Sequence, residues 1–159
     1  MIRLRKTRTW NDNLNDVVRD VFFVDEELLD LMCIPEKYRG DIAMFIQKYL
    51  VRDVTSDEVI TNEEVRVCYW QGDSKSIGMN MIRKTLNFDI YVKDSVQHTA
   101  SFDILQSRDQ LIAEKIKELL TDSKYVCHID FRFEDSYDMY TKLVGYHRYR
   151  IVFSYKTSF

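Results

Sequence analysis

The chain has one proline and four glycines in 159 residues. So few of either exclude long flexible loops and low-complexity linkers. Cysteine is also scarce. Cys33, Cys68 and Cys127 are odd in number, widely spaced, and form no Cys-x-x-Cys pair, which argues against a disulfide framework and for a reducing compartment. No apolar run approaches the roughly 18–20 residues of a membrane span. The N-terminal Met-Ile-Arg-Leu-Arg-Lys-Thr-Arg carries charge but lacks the apolar stretch of a signal peptide. The sequence therefore reads as that of a soluble protein, made inside the cell and with no membrane partner. It also lacks excess positive charge. A net charge of −3 and a pI of about 5.6 argue against a generic polyanion-binding surface.

What is present is ordinary globular material, 45% apolar and 31% charged. The length suits one domain with a real core. Aromatics are abundant, with ten tyrosines and nine phenylalanines. The best-specified stretch is residues 83–93. Leu86, Phe88, Ile90 and Val92 alternate with Asn87, Asp89, Tyr91 and Lys93, the period of a strand with one buried face. A one-residue slip would turn the whole apolar set outward, so this stretch reads as the central strand of a sheet.

The chain before it divides at about residue 50. Residues 11–33 read as two helices, the first capped by Asn11 or Asp12 and the second by Asp25, with Leu28, Leu29, Leu31 and Met32 inward. Pro35 marks a boundary. Residues 36–49 carry a third apolar stripe, Ile42, Phe45, Ile46 and Tyr49, and residues 50–64 read as an irregular acidic connection. Residues 65–70 alternate again as a strand. Residues 71–80 hold two of the four glycines and read as a loop, with Gln71, Gly72, Asp73, Ser74, Lys75, Ser76, Ile77 and Gly78 as candidate contacts with neighbouring chains.

After strand 83–93, residues 94–99 turn the chain. Ser107 and Gln110 have the spacing of a capping box, and Leu111, Ile112, Ile116, Leu119 and Leu120 follow at helical spacing. Residues 125–133 and 149–155 alternate as two further strands, separated by a polar connection over 134–145. The expected fold is α+β: a four-stranded, mainly antiparallel β-β-α-β-β sheet with a helix across one face, formed by residues 51–159, and a helical N-terminal part over 1–50. The expected core comprises Leu86, Phe88, Ile90, Ile112, Ile116, Leu119, Ile129, Phe131, Ile151 and Phe153.

Few constellations carry chemistry. Cys127 and His128 are adjacent, but on a strand they point to opposite faces. Cys33, Cys68, Cys127, His98, His128 and His147 offer no zinc-ligand spacing. Asp130, Glu134, Asp135 and Asp138 cluster as nuclease carboxylates do, yet no lysine-bearing motif follows, and a solvated acidic loop is the plainer reading. His147, Arg148, Arg150 and Lys156, interleaved with Tyr146 and Tyr149, have the composition of a nucleic-acid-binding face. The plainer reading is the polar side of a half-buried strand, facing solvent or a neighbouring protein. Arg3, Arg5, Lys6 and Arg8 form a basic arm, either a solvated terminus or a contact with an acidic neighbour. Nothing matches a P-loop or a dinucleotide fingerprint.

In order, the acidic connection, Arg66-Val-Cys-Tyr69, Leu86-Asn-Phe-Asp-Ile-Tyr-Val-Lys93, the helical run from Arg108 to Leu120 and the final Gly145-to-Tyr155 strand resemble the neck and tail-completion proteins of tailed bacteriophages. The resemblance covers residues 50–156, with an echo near 28–35, and rests on order and alternation rather than a signature. It implies a tail-terminator or head–tail joining protein in the neck or tail of the virion. Such a protein forms a ring, usually a hexamer, between the connector and the tail tube, and DNA passes through without specific binding. It implies no enzyme activity, no cofactor and no metal, and partners that are the protein itself and the adjacent connector, neck and tail-tube proteins. On this reading the loop 71–80 meets neighbouring subunits or lines the lumen, and the basic arm contacts the adjacent ring. The alternative from another class is a nucleic-acid-binding or metal-dependent nucleic-acid-processing α+β protein.

Overall fold

The computed structural model describes residues 17–52, 63–98, 106–122 and 129–158. The N-terminal part is built from short helical turns. A π-turn, Val18–Phe22, leads to α1, Glu26–Leu31. Asp25 caps α1 as the sequence indicates, its carboxylate accepting from the Leu28 N–H at 2.8 Å. The helix ends on Cys33 at φ 56°, with the Ile34 N–H donating to Leu29 O and the Cys33 N–H to Asp30 O. These two bonds make a Schellman stop, here with cysteine where glycine is usual. A 3₁₀ turn, Glu36–Tyr38, follows Pro35, and α2, Ile42–Met44, runs on as a π-turn, Phe45–Tyr49.

Five strands form one sheet: β1 Leu50–Arg52, β2 Val65–Ser76, β3 Met81–Lys93, β4 Arg132–Met139 and β5 Tyr146–Ser158. Their order is β1-β2-β3-β5-β4. β3 lies at the centre, as its alternation requires. β1 runs parallel to β2, and the other pairings are antiparallel. The short α3, Asp94–Gln97, turns the chain after β3, and α4, Arg108–Thr121, lies across one face.

The core sits between that face and the helices. Phe88 is its hub, with ring centroids 6.0 Å from Phe22, 5.9 Å from Tyr69 and 5.9 Å from Phe153. Ile112, Ile116 and Leu119 of α4 cover it, and Leu28, Leu29 and Phe45 bury in the same cluster. One apolar cluster thus takes side chains from both the helical part and the sheet. Buried Arg108 ties them by donating to Val96 O at 2.7 Å and Leu31 O at 2.9 Å. Every expected core residue is buried except Ile129, which is partly buried.

The structure departs from the expected one in three places in the sheet and at one helix cap. It has five strands, because Leu50–Arg52, read as connection, pairs with Val67, Cys68 and Tyr69. Three residues are too few to show a period. Residues 71–76 are strand and not loop, since β2 continues through a register shift between Gln71 and Ser74. Gly72 sits in that bulge because a Cβ there would lie 2.2 Å from Thr85 Oγ1 and 2.6 Å from Asn87 Nδ2. Only residues 77–80 make the turn. The polar stretch 134–139 is strand too, within β4, and 129–131 precede it without regular structure. As an exposed outer strand, β4 has no apolar alternation to read. Finally, Ser107 makes no side-chain cap to α4. Gln97 Oε1 accepts the Asp109 N–H and Asp109 the Gln110 N–H in its place.

Candidate functional site

The sheet face turned away from α4 holds the least expected feature. Alternation places Asp89 on the outer side of β3, and there it is fully buried. Arg150, its partner in register on β5, and Arg148, two residues before, reach over it. Arg150 Nε donates to Asp89 Oδ1 at 2.7 Å and its terminal nitrogen to Oδ2 at 2.9 Å. Arg148 donates to Oδ2 through Nε at 2.9 Å and also through a terminal nitrogen. One carboxylate thus takes four charge-assisted bonds from two guanidiniums, which is geometry only arginine supplies. The carboxylate holds the Arg150 guanidinium above its ordinary range.

Aromatic rings close the cluster. Arg150 stacks over Trp70 at 4.8 Å and Arg148 over Tyr91 at 5.5 Å. Arg148 also donates to Tyr140 O at 3.3 Å. Leu143 and Tyr146 pack on Tyr91 and Cys68, the latter in register with Asp89 on β2. Arg148 and Arg150 therefore do not face solvent or a neighbour, as read from sequence, but are spent within the chain. A signal existed: an aspartate at mid-strand, with two arginines at alternate positions on a strand of the same sheet, can meet only on one face.

This cluster has no reacting group. Burial pushes the Cys68 thiol up to about 11, so it packs as a small apolar side chain and is a poor nucleophile. The acidic residues proposed as a cluster are strung along β4 and the residues just before it. Asp130 lies 4.0 Å from Arg132, Glu134 accepts from the Ser154 hydroxyl, and Asp135 accepts from the Ser136 N–H. Among the described residues no group of three His, Cys, Asp or Glu side chains stands close enough to hold a metal ion. Cys127, His128, Arg3, Arg5, Lys6 and Arg8 lie outside the described residues.

The other feature is the free end of the β2–β3 hairpin. From Asp73 to Met81 the chain is exposed, and the turn presents Ile77, Met79 at 94% exposure, and Met81. Gln71 to Ser76 form the last turnward half of β2, with Gln71 held by Tyr155 at 3.1 Å. Among the described residues no helix is long and apolar enough to cross a membrane.

Residues 25–155 match the model of the YomW family, whose namesake is a protein of the Bacillus phage SPbeta region. No curated protein matches the chain. With a match over most of its length, the chain belongs to the YomW family and is a phage-associated protein.

Proposed function

We propose that the protein is a structural subunit of the virion, which assembles into a ring at the head–tail junction, joins the connector to the tail and lets DNA pass. It acts by assembly, with no catalysis and no cofactor. The observation that carries this reading is the hairpin tip. A long hairpin, bulged once between Gln71 and Ser74, ends in three exposed apolar side chains, Ile77, Met79 and Met81. A lone soluble domain gains nothing from holding such residues in water, whereas an interface uses them. The same hairpin carries Gln71, Gly72, Asp73, Ser74, Lys75, Ser76 and Gly78 toward a neighbouring subunit or the lumen. The nucleic-acid reading gains no such support, because Arg148 and Arg150, two of the basic residues it draws on, are both held by Asp89.

The test is the mass of the purified protein by native mass spectrometry, with negative-stain images of the phage neck. A ring, probed with Met79→Glu, should lose assembly while the melting temperature stays within about 2 °C, as for other surface changes. A monomer in solution that is also absent from purified particles would overturn the proposal.

A further inference from the structure

The far end of the β2–β3 hairpin is not a two-stranded arm. β5 runs beside it as far as Ser158, opposite Met81, so three strands reach toward the tip together. Across them stand three cations in register. Lys75 of β2 lies opposite Arg83 of β3, and Arg83 lies opposite Lys156 of β5. Residues paired in this way share one face, and alternation from Asp89 puts Arg83 on the face turned away from α4. All three side chains are exposed, and among the described residues no carboxylate pairs with any of them. Of the carboxylates at this end, Asp73 sits in the bulge of β2 and Glu134 accepts from the Ser154 hydroxyl, so neither belongs to the row. Like charges set directly opposite weaken a sheet. The row therefore works against the isolated fold and calls for an anion.

We propose that this row is where the protein meets DNA: Lys75, Arg83 and Lys156 ride on the phosphate backbone of the duplex that passes the ring. This rests on the ring reading above and names the residues that face the lumen. The row spans two strand spacings, about 10 Å. Duplex DNA carries a charge about every 1.7 Å of its axis, so the row meets phosphates in any register and at any sequence. Single strands are held on aromatic platforms, but the neighbours in register, Thr85 and Ser154, offer no ring. An acidic protein is the other anion that a basic row could serve. Such a partner would cover an apolar seam among the charges, whereas Ile77, Met79 and Met81 lie together at the tip, beyond the row. The ring reading gives that tip to a neighbouring subunit, which leaves the row to the lumen. Three solvated cations make a contact that slides. The chain's net charge of −3 hides this local surface.

The test is fluorescence anisotropy of the full chain with short labelled duplexes of two unrelated sequences, between about 50 and 200 mM salt. Each phosphate neutralised adds about −0.9 to the slope of log affinity on log salt. A subunit that engages all three cations should show a slope of about −2.7, a loss of about 40-fold over that range. Both sequences should bind alike. Each single change, Lys75→Gln, Arg83→Gln or Lys156→Gln, should cut the slope by about a third, however many subunits engage. The triple variant should lose binding and keep assembly, with circular dichroism unchanged and a melting temperature no lower than wild type. If the triple variant unfolds, the slopes of the single variants decide. No binding at the lowest salt overturns the inference, as does binding that the triple variant retains. A triple variant that folds but no longer assembles gives the row to an acidic surface of a neighbouring subunit and overturns it too. A wild type that stays monomeric and is absent from particles removes the ring reading, while the slopes still decide whether the row meets DNA.

Discussion

Replacing Asp89 by asparagine tests the central electrostatic argument. The carboxylate is fully buried and accepts from Arg148 and Arg150 at 2.7 to 2.9 Å. Asparagine keeps the shape but turns one accepting oxygen into a donor and removes the negative charge. Two guanidiniums then face each other over a neutral amide. Breaking a buried pair by removing one partner costs about 3–5 kcal/mol. This is a large part of the roughly 5–15 kcal/mol that holds a domain folded. With a urea slope of about 2 kcal/mol per molar, the midpoint should fall by about 2 M. Trp70, 4.8 Å from the Arg150 guanidinium, gives a local fluorescence signal, and circular dichroism reports the whole fold. The control removes all three charges, Asp89→Leu with Arg148→Met and Arg150→Leu, and should come close to wild type because no charge is left stranded. An asparagine variant within about 0.5 kcal/mol of wild type, the scatter of ordinary surface changes, would refute the argument.

Three further outcomes are expected. Phe88→Ala should cost about 3–5 kcal/mol in urea unfolding, since the ring meets Phe22, Tyr69 and Phe153 at once; a loss under 1 kcal/mol would unseat β3 as the centre of the core. Gly72→Val should cost about 1–3 kcal/mol by forcing the bulge against Thr85 and Asn87, and a neutral result would mean that the bulge can slip. Stability should also decline in alkali. Burial raises Cys68 from 9.0 to about 11, and burial with Glu63 nearby raises Tyr49 from 10.0 to about 12. Both groups are neutral when protonated, so the folded state holds its protons longer than the unfolded one. Their contribution is complete below about pH 9 and is lost as pH rises through 11 and 12, so a melting temperature that is flat from pH 8 to 11 would contradict it.

The sequence made β3, α4 and the Asp25 cap legible because each rests on a local rule: alternation, helical spacing, or a capping side chain beside an apolar run. It made the sheet's outer parts illegible for the same reason. β4 is exposed on nearly every residue, so hydrophobic period carries no information there. Gly72 looks like a loop glycine until Thr85 is seen against it, and β1 exists only because a distant strand accepts it. The Asp89 cluster was half legible. Alternation put Asp89, Arg148 and Arg150 on outer faces, but their burial depends on the 140–146 segment folding back, with Tyr140 O, Leu143 and Tyr146 closing over them. Nothing local to any one strand announces that.

The Asp89 cluster also changes how a structural role can be told from nucleic-acid binding. Arg148→Glu with Arg150→Glu would seem the direct probe of a basic face. In this fold it would place two glutamates against a buried carboxylate, and three like charges in one dry site would unfold the sheet face. Any loss of DNA binding would then report unfolding. Among the described residues, the exposed cations that a strand of DNA could reach include Lys75 and Arg83 of the hairpin. A ring that conducts DNA should hold it weakly, because each fixed contact with phosphate adds a salt-sensitive drag. The purified protein should therefore show little DNA binding at physiological salt, and Lys75→Glu with Arg83→Glu, both at exposed positions, should leave the fold intact by circular dichroism. Tight binding by the wild type that this exposed pair abolishes, with the fold intact, would favour the nucleic-acid role over the structural one.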